Sequence, residues 1–116
     1  MPIQTIDQPI SLAKLAEIAN ERYGDMVKVV VDVERGLMSV GAEMHCDSEE
    51  LLLEDGSKRR NLWGINLYPH KHEEGFIEFD SMINLRVSQG NSTRGVDDPV
   101  IRQKIVEIVQ HLVRKK

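Results

Sequence analysis

Apolar residues recur along this chain first at helical spacing, then at every second position, and finally at helical spacing again. Leu12, Leu15, Ala16 and Ala19, with Ile18 beside them, predict a helix beginning after Pro9. Ser11 is its expected cap, because a serine hydroxyl can accept from an orphan amide of the first turn. Gly24 suits the left-handed position that ends such a helix.

Period-two patterning follows. Residues 26–33 are valine-rich and read as a strand, with Val27, Val29, Val31 and Val33 on one face. Glu34-Arg35-Gly36 is a tight turn, and residues 37–44 return as the second strand of a hairpin. Asp47-Ser48-Glu49-Glu50 matches a capping box with aspartate as the cap of a short helix that Gly56 closes. Residues 62–68 form a third strand stopped by Pro69. Residues 76–87 alternate: Ile77, Phe79, Ile83, Leu85 and Val87 face one way, and Glu78, Asp80, Met82, Asn84 and Arg86 the other. A loop over 88–97 leads to a last helix that Asp98-Pro99 opens. Its apolar stripe is Ile101, Ile105, Ile108 and Leu112, and Arg114, Lys115 and Lys116 are expected to close it.

The order αββαββα predicts an α+β fold: a four-stranded antiparallel sheet with its helices mainly on one face. At 116 residues the chain fits a single domain over residues 1–116. Hydrophobic residues at 41% and charged residues at 29% exclude a collagen-like repeat and a mostly disordered chain. No apolar run is long enough to span a bilayer, and residues 1–10 lack the charged and apolar regions of a signal peptide. A lone Cys46 rules out a disulfide framework and fits a reducing, cytoplasmic setting.

Net charge is −4, but its distribution is uneven. Residues 1–56 hold twelve acids and four bases, while residues 57–116 hold eleven bases and seven acids. The overall acidity argues against a nucleic-acid partner, although Lys58-Arg59-Arg60 stands near Trp63. Trp63 shares the parity of Ile65 and Leu67 and is expected in the core.

If helices cover one face of the sheet, the other collects an unusual stock of ionisable and amide groups. Strand parity places Lys28 and Asp32, then Glu43 and His45, then Asn66 and Tyr68, then Glu78, Asp80, Asn84 and Arg86 on that face. Glu43, His45, Glu78 and Asp80 are the candidate acid and base groups; Asn66, Asn84, Arg86, Asn91 and Arg94 would orient a ligand. His45 is the best general base among them near neutral pH, with no catalytic role assigned. The expected partner is a small polar or anionic molecule. The rival expectation is a homo-oligomer or protein-interaction module using the same face, with Glu78 pairing Arg86 across subunits.

Other motifs are weaker. Glu43-x-His45 with Asp47 has metal-ligand residue types, but Asp47 is better explained as a cap, so no metal and no cofactor is assigned. His70 and His72 belong to a polar loop. The 88–97 loop has the glycine spacing of a phosphate-binding loop, but Val96-Asp97 stands where Lys-Ser/Thr is required. Cys46 has the parity opposite to His45 and is expected to be a buried structural thiol.

Several strings are specific: Gly24-Asp25-Met26-Val27-Lys28, Gly41-Ala42-Glu43-Met44-His45, Leu62-Trp63-Gly64-Ile65-Asn66-Leu67-Tyr68-Pro69 and Ile77-Glu78-Phe79-Asp80-Ser81-Met82-Ile83-Asn84. With Gly90-Asn91-Ser92 and Arg94-Gly95-Val96, they resemble a family of small uncharacterised bacterial and archaeal proteins, a domain of unknown function. The family pattern carries alanine where Cys46 stands and proline where Val87 stands, which weighs against a nucleophilic role for Cys46. The resemblance implies no activity, cofactor or catalytic residue.

Overall fold

The structure, a computed structural model, describes residues 2–115. Helix α1 (Leu12–Arg22) starts where the Ser11 hydroxyl accepts the Lys14 amide at 3.0 Å. It stops where Gly24, at φ 88°, returns its amide to the Ala19 carbonyl. The valine run forms β3 (Val27–Asp32), which turns into β4 (Leu37–Val40). Gly36 takes φ 69° in that turn, and the buried Asp32 carboxylate accepts the amides of Glu34 and Arg35 there. The expected hairpin is therefore present, pinned from beneath by an acid the alternation had placed on a polar face.

The sheet has five antiparallel strands rather than four. Its order is β1-β4-β3-β5-β6, with β1 (Gln4–Ile6) along β4, and with β5 (Leu62–Leu67) and β6 (Ile77–Glu78) beyond β3. A separate parallel pair joins β2 (Ile10–Ser11) to β7 (Val113–Arg114). Between β5 and β6 lies a single helical turn, α3 (Glu73–Phe76), broken by Gly75 at φ 84°. Arg114 thus stands in a strand beyond the last helix, α4 (Pro99–Leu112), and Lys116 lies outside the described residues.

One sheet face carries Val29, Val31, Met38, Trp63, Ile65 and Leu67 against Leu15 and Ile18 of α1 and Ile105, Val109 and Leu112 of α4. Each such aliphatic side chain contributes about 1.5–3 kcal/mol through burial. Trp63 lies in this core as parity predicted. The opposite face is not fully open. Helix α2 (His45–Glu54) lays Leu52 against Val30, Leu37 and Leu62, so a second, smaller apolar cluster covers part of it.

Three element boundaries differ from the sequence reading. Gly41, at φ 97° and tight against the Pro2 carbonyl, turns the chain out of β4 at Val40, so 41–44 are not strand. As a result α2 begins at His45 behind Met44, and Asp47 sits inside the first turn, where it complements the helix dipole instead of capping it. The expected strand over 76–87 survives only as β6. Beyond Glu78 the chain leaves the ladder through two 3₁₀ turns, at Met82–Asn84 and Val87–Gln89. Burial there follows the three-residue period of a 3₁₀ turn, with Ser81 and Asn84 inward, so Leu85 and Val87 are exposed instead of lying on a buried strand face.

Candidate functional site

The part of the second face that α2 leaves uncovered holds a pocket of about 420 Å³, within the range of about 300–1,000 Å³ usual for small-molecule sites. Its floor is built by register. Lys28 on β3 stands opposite Asn66 on β5, and Asn66 stands opposite Glu78 on β6, giving a row of three polar side chains across three strands. Tyr68 extends β5 beyond the row. Asp80 and Arg94 close one side, and His45, from the first turn of α2, closes another. Met26, Met44 and Met82 line it as well.

Asn66 organises the row. Its amide nitrogen donates to Glu78 Oε1 at 2.8 Å and to the Asp80 carbonyl at 3.3 Å. Both partners are acceptors, so the amide orientation is fixed and Oδ1 points away from them. Asn66 is only 5% exposed, yet its Oδ1 has no hydrogen-bond partner among the described residues. The Tyr68 hydroxyl also donates to Glu78 Oε1, at 2.9 Å. Burial and the Glu78 carboxylate push the Tyr68 phenol up to about 12. Asp80 is paired differently: its two oxygens meet Arg94 Nε at 2.8 Å and Nη2 at 3.4 Å.

His45 donates through Nε2 to the Ile65 carbonyl at 2.8 Å. A carbonyl only accepts, so the neutral ring carries its hydrogen on Nε2 and leaves Nδ1 as a bare acceptor. Burial lowers the imidazole pKa below its ordinary 6.5, and Lys28 lowers it further; the Ile65 carbonyl, Asn66 and Asp80 only partly oppose this. At pH 7 the ring is neutral. Lys28 Nζ lies 5.1 Å from the centre of the Tyr23 ring and, like Glu78, has no ion-pair partner among the described residues.

Of the nine residues singled out by sequence, the structure brings five together here: His45, Asn66, Glu78, Asp80 and Arg94. The other four lie elsewhere. Glu43 is exposed outside the pocket, and its carbonyl accepts the Tyr23 hydroxyl. Asn84 is fully buried: Oδ1 accepts the Gly64 amide at 2.8 Å, and Nδ2 donates to the carbonyls of Gly64 and Arg94, each at 2.9 Å. Arg86 stacks on Trp63 and donates to the carbonyls of Ile83, Arg59 and Leu62. Asn91 donates to the carbonyls of Asn84, Thr93 and Gly95 and accepts the Asp97 amide.

The loop that resembled an anion cradle is occupied from within. Asp97 accepts the Ser92 amide at 2.8 Å and the Thr93 hydroxyl at 2.5 Å. These bonds hold its carboxyl below the usual range, Thr93 foremost. Cys46 is exposed at the pocket mouth, not buried, because it stands on a helix where strand parity no longer applies. Among the described residues no group of three or more His, Cys, Asp or Glu is placed to hold a metal ion.

A family model described as "Protein of unknown function (DUF5674)" matches residues 4–112. The chain belongs to that family. Searches of curated proteins and of solved structures gave no match. The DUF5674 match spans every element that lines the pocket, from β3 to the Arg94 loop.

A larger cavity of about 570 Å³ lies between β6 and α4, lined by Phe76, Ile77, Phe79, Val106 and Val109. It is mainly apolar, and its charged groups, Glu73 and Lys115, are exposed side chains. Convergent buried polar groups distinguish a binding site from a packing defect, and those converge on the smaller pocket. Sequence parity reached Lys28, Tyr68 and Met82 as members of the polar face but gave no sign that Met44 and Cys46 would border the site. No helix among the described residues is long and apolar enough to cross a membrane.

Proposed function

We propose that this DUF5674 chain binds a small polar molecule in the pocket above the Lys28–Asn66–Glu78 row. The observation that carries the reading is Asn66, a lining residue whose buried Oδ1 has no donor among the described residues. An unsatisfied buried acceptor costs about 1–3 kcal/mol, which a ligand N–H or O–H removes. The neutral His45 Nδ1 and the Glu78 carboxylate make the floor rich in acceptors, so the reading moves from an anionic ligand towards one that donates hydrogen bonds. The exposed, lone Cys46 supports a reducing, cytoplasmic setting.

Thermal-shift screening against nucleotides, sugar phosphates, polyols, amines and amino acids tests the reading. A bound ligand raises the melting temperature by mass action, and Asn66→Ala removes the shift. A flat result over the whole library overturns it.

A second reading, self-association through the same side of the molecule, draws on Met82, Leu85 and Val87, which are 63%, 43% and 81% exposed. Arg86 is not available for a cross-subunit pair with Glu78, since carbonyls of its own chain engage it. Light scattering over a concentration series tests this: a mass that stays monomeric at high concentration sinks it.

A further inference from the structure

Two opposite charges face the same pocket without meeting. Lys28 and Glu78 occupy the ends of one register row, with Asn66 between them. Adjacent strands are about 4.8 Å apart, so their backbones stand roughly 10 Å from each other. Both side chains are long enough to close much of that gap. Instead the Lys28 ammonium lies over Tyr23, and among the described residues the Glu78 carboxylate is held by the neutral donors of Asn66 and Tyr68 alone. The other two charges of the pocket, Asp80 and Arg94, neutralise each other.

We infer that the pocket takes a small zwitterion, an ammonium and a carboxylate a few atoms apart, as in a free α-amino acid. The inference rests on the proposed binding function and names the ligand class. A simple anion would satisfy Lys28 but be repelled by Glu78. A simple cation would satisfy Glu78 and be repelled by Lys28. A zwitterion aligned with the row meets both. Its ammonium has three N–H donors, and the lining offers it the Glu78 carboxylate, with the side chains of Asn66 and His45 beside it. Its carboxylate turns to Lys28. The remaining side chain points to Met26, Met44 and Met82, whose unbranched thioethers favour an apolar group and adapt to its shape.

The test uses the full chain and the twenty common L-amino acids, each at millimolar concentration, read by melting temperature. At least one, from the apolar set, is expected to raise it. The corresponding amine without the carboxylate, and the corresponding acid without the amine, should each give a much smaller shift. In calorimetric titration of that amino acid, Lys28→Met and Glu78→Gln should each weaken binding about ten-fold or more. The unliganded melting temperature of each variant shows whether it is folded. No shift with any amino acid overturns the inference, and so does a half-molecule that binds as well as the whole. If another polar class from the wider screen binds and Asn66→Ala abolishes it, the pocket reading stands and only the zwitterion falls. If nothing binds in either screen, both fall.

Discussion

Replacing Asn84 with alanine should destabilise this protein by about 3 kcal/mol, and the structure shows why. The Asn84 side chain is fully buried and makes a two-way contact with one residue: it accepts the Gly64 amide at 2.8 Å and donates to the Gly64 carbonyl at 2.9 Å. Those two backbone groups point away from β3, and β6 pairs only with Asn66 and Leu67, so no strand takes over when the amide is removed. Each group left unsatisfied costs about 1–3 kcal/mol, and water entering the vacated space brings the pair towards the lower part of the summed range, about 3 kcal/mol. The third bond, to the Arg94 carbonyl, adds little, because that oxygen also accepts the Ser81 amide at 2.9 Å. Urea unfolding of wild type and Asn84→Ala measures the difference through the midpoint at unchanged slope. A loss below about 0.5 kcal/mol, the size of an ordinary surface change, refutes the reasoning. Asn84→Asp gives a control with a distinct signature. It keeps the acceptor for the Gly64 amide but sets a carboxylate against two carbonyl oxygens, which raises its folded pKa above the unfolded value. Relative to wild type, its deficit should therefore shrink as the pH falls through that raised pKa.

Three further expectations follow from the same packing. Gly64→Ala should cost about 1–3 kcal/mol, because its Cβ would lie 2.5 Å from Ser81 Cβ; a melting temperature equal to wild type contradicts this. Asp32→Ala should cost about 2 kcal/mol or more through the turn amides and the Ser57 hydroxyl it accepts, with Asp32→Asn recovering much of the loss in chemical denaturation; equal losses in the two variants would show that the turn does not depend on that oxygen. His45 is lowered from 6.5 in the folded state, so the unfolded chain binds the extra proton first. Its stability contribution is present above pH 6.5 and falls as the pH drops towards the folded pKa. The pH dependence of the melting temperature between 7 and 5 should flatten in His45→Gln, and an unchanged slope would assign it to other groups.

Elements with strong local signals were legible in the sequence. The Ser11 cap, the Val27–Val31 alternation with Gly36 and the Asp98-Pro99 start all act within a few residues, and the structure keeps each. What was hidden depends on distant partners. β1 is three residues long and exists because β4 offers it an edge; β2 and β7 are two residues each and exist through each other. The segment after Glu78 misled because its apolar–polar alternation is not matched by its burial: Leu85 and Val87 are exposed, and the buried Ser81 and Asn84 stand three apart, at the 3₁₀ period. The site follows the same division. Asn66 and Glu78 kept their expected face because β5 and β6 hold register there. Asn84, Arg86 and Asn91 are as polar as any binding residue, and nothing local tells an amide meant for a ligand from one meant for a buried carbonyl.

Asn84 and Arg86 also bear on how molecules of this protein coexist in solution. Along the outer edge of β5, three residues turn their backbone outwards: Asn66 is covered by β6, the Gly64 groups by Asn84, and the Leu62 carbonyl by Arg86. A backbone strand there would itself have a second, open side and could pass the ladder on to another chain. A side-chain amide and a guanidinium end it. The sheet is thus closed to strand addition at its barest stretch, where an exposed edge would otherwise template aggregation.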